Sequence, residues 1–259
     1  MLTATTNYNL LVKNYSKTLA STAAEPTVSR ETKYYLANIS NVKSANDLLN
    51  NSKLYSYVMK AFGLSDMMNA KGLIRKVLEG GVASNKSLAN TLNDPRYKAL
   101  ATAFNFAANG AATTQATAAQ QGTVEKYVEQ TLETDAGKQN PAVQKALYFQ
   151  RMAPNITSAY SILADKTLLN VVQTALGLSS SMSSEPLDTQ AKAITKALKI
   201  SDLQNPAKLQ KFIERYTATY DSQNANTQTT SATSALLVSS PGISFDLLLQ
   251  LATLKLGGS

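Results

Sequence analysis

A chain of 259 residues with 44% hydrophobic content can bury a sizeable core, as one domain or two. It contains no cysteine and no histidine, which excludes a disulfide framework, a thiolate zinc site, a cysteine nucleophile and every serine–histidine triad. The formal net charge of +8 is uneven: residues 1–106 carry +7, residues 107–221 carry +1, and the remainder is neutral.

A basic N-terminal half suits nucleic acid, anionic lipid or an acidic partner, although a scattered solvated surface is the simpler expectation. The tightest basic cluster is Lys71, Arg75 and Lys76 on one helix face, the candidate anion-binding group. No aromatics interleave with it as a single-strand platform requires, so nucleic acid is disfavoured. Met1 to Ala20 holds no apolar targeting core, and no apolar run reaches the ~20 residues that span a bilayer. The expected location is cytoplasmic, or outside the cell by a route without a cleavable signal, and no transmembrane segment is expected.

In chain order, Tyr8, Val12, Tyr15 and Leu19 recur at helical spacing and predict one amphipathic N-terminal helix from near Thr6. Glu25-Pro26 turns the chain into a helix over about 28–39. Ser44 is a candidate N-cap for the helix holding Leu48 and Leu49. The next helix, with Leu54, Tyr57, Val58 and Ala61, stops at Gly63, since glycine takes the left-handed conformation at little cost. A helix over 71–79 ends at Gly80-Gly81, and Asp94-Pro95 opens another running to about Asn105. Residues 107–122, small and polar, read as a linker or long loop. Helices then follow over about 123–135, from Asn140-Pro141 to Pro154, and over 158–164, 167–176 and 187–199. A last one runs from Asn205-Pro206 to about Tyr220. Polar residues 222–233 read as a second linker before an apolar segment, Ile243 to Leu256.

The strongest signal is an internal repeat. With Ala45 placed on Ala159, an offset of 114, Leu49 falls on Leu163, Leu54 on Leu168, Val58 on Val172, and Gly63-Leu64-Ser65 on Gly177-Leu178-Ser179. With gaps, Asp94-Pro95 meets Asn205-Pro206. The expected fold is all-α: two diverged tandem multi-helix repeats in a pseudo-two-fold bundle, with helical N- and C-terminal extensions. The expected segments are an arm (1–24), repeat 1 (25–106), a linker (107–122), repeat 2 (123–221), and a linker with an apolar C-terminal helix (222–259).

Little in the sequence carries chemistry. Gly80-Gly81 lacks the Gly-Lys-Ser/Thr of a phosphate loop. Glu125, Glu129 and Glu133 share a helix face, but without histidine they read as a solvated acidic face, not a metal site. Twelve tyrosines fall mostly at core spacings. No catalytic residue, metal or cofactor is expected. Partner contact is expected through the N-terminal face (Tyr8, Val12, Tyr15, Leu19) or the apolar C-terminal one (Phe245, Leu248, Leu249, Leu256), the latter also suited to self-association.

Several phrases are more specific. They are Arg30-Glu31-Thr32 through Tyr34-Tyr35-Leu36-Ala37-Asn38-Ile39, Met59-Lys60-Ala61-Phe62-Gly63-Leu64, Arg75-Lys76-Val77-Leu78-Glu79 and Ala146-Leu147-Tyr148-Phe149-Gln150-Arg151-Met152-Ala153-Pro154. With Ala175-Leu176-Gly177-Leu178 and Asp202-Leu203-Gln204-Asn205-Pro206 they resemble the alphaproteobacterial family catalogued only as domain of unknown function 1217. Members of that family are often encoded among flagellar genes. The resemblance implies a flagellar-system role, with flagellar components as partners, and brings no catalytic residues. The lack of Cys, Trp and His beside abundant Ala, Ser, Thr, Asn and Gln is also common in flagellar axial and exported proteins. The expected function is therefore a non-enzymatic structural or adaptor protein. The alternative is a binding module whose basic half contacts an anionic partner.

Overall fold

The computed structural model describes residues 2–238, with side chains described through residue 225. Every regular element among them is helical. They are α1 (Ala4–Lys13), α2 (Tyr15–Ala24), α3 (Pro26–Ile39), α4 (Ala45–Asn50), α5 (Ser52–Ala61), α6 (Lys71–Gly80), α7 (Leu88–Thr91) and α8 (Pro95–Ala103). After them come α9 (Phe106–Asn109), α10 (Gln121–Gln139), α11 (Pro141–Met152), α12 (Ala159–Leu163), α13 (Lys166–Leu176), α14 (Leu187–Ala197) and α15 (Pro206–Val238). Short 3₁₀ turns join several of them. Met1–Tyr220 clusters as one unit, and Asp221–Ser259 as a second, whose described part is the continuation of α15.

Two hydrophobic cores lie within the first unit. Tyr35, Leu49, Val58, Phe62, Leu78 and Phe104 belong to one; Phe149, Ile162, Val172, Ile194, Ile213 and Tyr216 belong to the other. Helix α10 serves both, giving Val124, Tyr127 and Val128 to the first and Ala136 to the second. It packs on α5 and α11. The arm and both halves therefore share one unit instead of dividing into separate bodies.

The same local devices start and stop helices in both halves. The Ser44 hydroxyl accepts from the Asp47 amide at 3.1 Å and opens α4; the Ser158 hydroxyl accepts from Ser161 at 3.3 Å and opens α12. Asn51 caps α5 through the Leu54 amide (3.2 Å), and Asp165 caps α13 through the Leu168 amide (3.1 Å). Each satisfies an amide that the first helical turn leaves without a partner. At the other end, Gly63 (φ +69°) and Gly177 (φ +66°) turn left-handed. The next amide then reaches back, Leu64 to the Met59 carbonyl at 2.8 Å and Leu178 to Gln173 at 2.9 Å, closing both helices the same way. All these pairs are 114 residues apart. The same offset joins the buried pairs Tyr35 and Phe149, and Val42 and Ile156.

A β-carbon at Gly177 meets nothing within 4 Å, and one at Gly63 meets only ordinary contacts beginning at 3.5 Å. Gly63→Ala and Gly177→Ala are therefore expected to cost about 1–2 kcal/mol each, from the left-handed backbone alone. Urea denaturation of the two variants should give matching losses.

Four expectations change. The N-terminal helix is two helices broken at Asn14, whose side-chain amide turns back to the Leu10 carbonyl at 3.1 Å, a competition typical of asparagine. Residues 107–122, mostly exposed, are anchored at three points. Thr113, Thr114 and Ala119 are buried, Thr114 donates to the Val42 carbonyl at 2.8 Å, and the Tyr35 hydroxyl donates to the Ala119 carbonyl. The supposed linker at 222–233 is helical, because nothing from Ala207 to Val238 is glycine or proline to stop α15. The acidic face of α10 is not all solvated: Glu133 is 3% exposed.

Candidate functional site

Three side-chain groups decide what this architecture can do. The first is a buried polar seam where α8, α10, α11 and α13 meet. Arg151 on α11 donates from Nη2 to Glu133 Oε2 at 3.0 Å, and Nε bonds the same carboxylate. Gln130 accepts a further bond from Nη2 at 2.7 Å, and the guanidinium lies 5.1 Å from the Tyr148 ring centre. Burial pushes the Glu133 carboxyl up, while Arg151 pulls it down. Burial also works against the Arg151 charge, and Glu133 outweighs it. The two-pronged bonding keeps the proton on Arg151, so the pair is ionic.

Arg96, in the first turn of α8, ties this seam to the first half. Its Nη1 donates to the Gly63 carbonyl at 2.6 Å and its Nη2 to Asp94 at 2.8 Å. Its Nε lies 3.8 Å from Asp165 on the second half. The Asp165 carboxylate also accepts from the Tyr148 hydroxyl. Burial disfavours the Arg96 charge, but Asp94 more than offsets that. The seam borders a cleft of about 360 Å³ that includes Arg96, Gln144, Lys145, Tyr148, Asp165 and Thr167.

The second group is an open cleft of about 620 Å³ along α3, α5 and α10. Arg30, Lys53 and Lys60 bring three cations to it, with Glu31 the one carboxylate in its lining. Its floor is aromatic: Tyr57 stacks between Tyr35 (4.3 Å between ring centres) and Tyr127 (3.9 Å). The Tyr127 hydroxyl donates to Glu31 and accepts from Lys60 Nζ at 3.2 Å. Burial lowers the Lys60 pKa, partly countered by Glu31. Lys53 stands 5.0 Å over the ring of Tyr34 at the mouth.

Seven tyrosines in the cores and seam, Tyr8, Tyr15, Tyr35, Tyr57, Tyr127, Tyr148 and Tyr216, are pushed well above the ordinary phenol range, chiefly by burial. A raised folded pKa gives stability that is complete below about pH 10 and is lost as pH rises toward the folded value. Each tyrosine kept protonated should remove about 1.4 kcal/mol per pH unit above that point. Tyrosinate absorbance and helical circular dichroism should therefore change together in a steep alkaline transition.

The third group comprises the residues that sequence reasoning singled out. Tyr8 is fully buried in the second core, donating to Gln150 Oε1 at 2.9 Å and Gln210 Oε1 at 3.3 Å. Val12 and Tyr15 pack against that core, and Leu19 against the first. The periodic face of the N-terminus is covered by its own chain, and the large apolar side chains left exposed there are Leu2 and Leu10. Lys71 donates to the Leu49 carbonyl at 3.0 Å, closing the end of α4, which leaves Arg75 and Lys76 as exposed cations. Phe245, Leu248, Leu249 and Leu256 lie outside the described residues. Sequence reasoning missed the open cleft. Its signal was Arg30 and Glu31 one turn before Tyr34 on α3, but α5 and α10 complete it.

Among the described residues, no group of three or more acidic, histidine or cysteine side chains could hold a metal ion, and no helix is long and apolar enough to cross a membrane. No curated protein matches the chain. It is similar to protein AGR_C_984 from Agrobacterium tumefaciens, solved by X-ray crystallography, at 42% identity over 85% of this chain and 93% of that one, with a TM-score of 0.78. Residues 61–209 match the family described as protein of unknown function, DUF1217. This chain therefore belongs to the DUF1217 family.

Proposed function

We propose that this protein is a non-enzymatic helical scaffold or adaptor that works through protein–protein contacts. The observation that carries the reading is the use made of buried charge. Arg96, Asp94, Asp165, Arg151 and Glu133 spend their bonding capacity on one another and on backbone across the seam between the two cores. Side chains committed to internal ion pairs fix a shape, and truncating one leaves its partner charged and unpaired. The matched caps and glycine stops of α4–α5 and α12–α13 support reading the halves as diverged copies of one unit. What those copies keep in common is mostly geometry.

The flagellar assignment rests on the resemblance to a family often encoded among flagellar genes. On this reading the protein works in the cytoplasm or leaves through the flagellar export route, and its partners are flagellar components. The test is affinity capture from cells, together with a swimming assay of a deletion strain. Loss of motility and capture of flagellar proteins are expected; normal swimming with no flagellar partner would overturn the assignment. Deleting Ile243–Leu256 is expected to abolish capture while the circular dichroism of the remainder is retained. Collapse of the helical signal in that deletion would instead make the segment part of the core.

A further inference from the structure

The seam cleft and the open cleft occupy matching places in the two halves. At the same offset of 114, Arg30 falls on Gln144, Glu31 on Lys145, Tyr34 on Tyr148, Asn51 on Asp165 and Lys53 on Thr167. The second member of each pair lines the seam cleft. Arg30, Glu31, Tyr34 and Lys53 line the open one, and Asn51 lies with Tyr34 and Lys53 in the groove beside it. In the second half this place receives a guest from elsewhere in the protein, the Arg96 guanidinium, 3.8 Å from Asp165. In the first half the balance of charge is reversed, even though Glu31 stands where the second half has Lys145. The carboxylate that receives the guest is replaced by the neutral amide of Asn51, and two uncharged residues are replaced by Arg30 and Lys53. Lys60 adds a third cation where the other half has Thr174. Arg30 and Lys53 are exposed, and among the described residues neither side chain has a hydrogen bond or ion pair. Exposed cations gathered over an aromatic floor attract an anion without first breaking an existing pair.

We propose that the open cleft between α3, α5 and α10 is a docking site for acidic side chains of a protein partner. A guest's carboxylates would meet Arg30 and Lys53, with Arg30 able to hold one through both prongs of its fork. The aliphatic part of the guest would lie along Tyr34 and over Tyr57. The volume, about 620 Å³, is within the ordinary range for ligand clefts and far exceeds one carboxylate, so a segment of several residues fills it better than a small ion. The proposal deepens the scaffold reading by naming its partner's chemistry. The two fail separately, because capture of flagellar partners and binding of a defined peptide are different measurements.

The test is fluorescence anisotropy of a dye-labelled hexaglutamate peptide with the full-length protein at low salt. Binding is expected, weakened about tenfold or more by Arg30→Glu with Lys53→Glu. Lys192→Glu with Lys196→Glu makes the same change in net charge on exposed residues of α14 and should leave affinity within about twofold, because charge away from the contact acts only through the screened field. Arg30→Gln with Lys53→Gln should lie between the wild type and the Arg30/Lys53 reversal, and circular dichroism should show all variants folded. Inorganic phosphate and adenosine monophosphate should not displace the peptide. Equal weakening by the two charge reversals would overturn the proposal, since net charge alone would then explain binding. So would failure of the peptide to bind, or its displacement by phosphate or the nucleotide, which would make the cleft a small-anion site.

Discussion

Arg151→Ala is expected to lower the free energy of unfolding by about 3–5 kcal/mol, a large share of a typical domain's stability. The substitution leaves Glu133, 3% exposed, as a carboxylate inside the fold without its guanidinium. It also frees the Gln130 side chain and removes the cation over Tyr148. Burial already works against the Glu133 charge, so with the opposing arginine gone the carboxyl must take up a proton or admit water, and either costs stability. Replacing both partners at once, Glu133→Leu with Arg151→Met, should cost less than Arg151→Ala alone, because no charge is then stranded. Urea denaturation followed by circular dichroism reads both results. A loss below about 1 kcal/mol for Arg151→Ala, the ordinary value for an exposed pair, would remove the seam from the account.

Tyr8→Ala carries the second large effect, about 3–5 kcal/mol, the usual cost of emptying a buried aromatic site. The ring is fully enclosed in the second core, and α1 packs on α11. Tyr8→Phe keeps the ring and removes only the hydroxyl that bonds Gln150 and Gln210, so about 1 kcal/mol is expected. Thermal melting of the two variants separates the contributions of ring and hydroxyl. A free arm waiting for a partner would show no loss for either substitution. The periodic face of the N-terminus was expected to meet a partner. What covers it lies later in the same chain: the second core over Tyr8, Val12 and Tyr15, and the first core over Leu19.

That case shows what the sequence could and could not disclose. Helix starts and stops are local events, settled within four residues by a side-chain oxygen, a proline or a left-handed glycine. Ser44, Asp94-Pro95, Asn140-Pro141, Gly63 and Gly177 were therefore readable, and so was the all-helical fold. Tertiary partnership is not local. Glu133 lies at solvated spacing with Glu125 and Glu129, and only Arg151, 18 residues on and on another helix, explains its burial. Thr113 and Thr114 look like linker residues until their hydroxyls are seen on the carbonyls of Asn105 and Val42. The polar run after Tyr220 suggested a break because of its composition, but it holds no glycine or proline to end the helix. The open cleft was hidden for the same reason as the seam: Arg30, Lys53 and Lys60 become neighbours only when α3 packs on α5.

The central claim is that a buried ionic seam makes one frame of two similar helical halves. Hydrogen–deuterium exchange on wild type and Arg151→Ala tests it most directly, by following amides of α5 in the first core and α13 in the second. The account predicts that both helices lose protection together and by similar free energies, since the seam is shared. Faster exchange in α13 with α5 unchanged would contradict it, because the halves would then be independent bodies joined only by the chain.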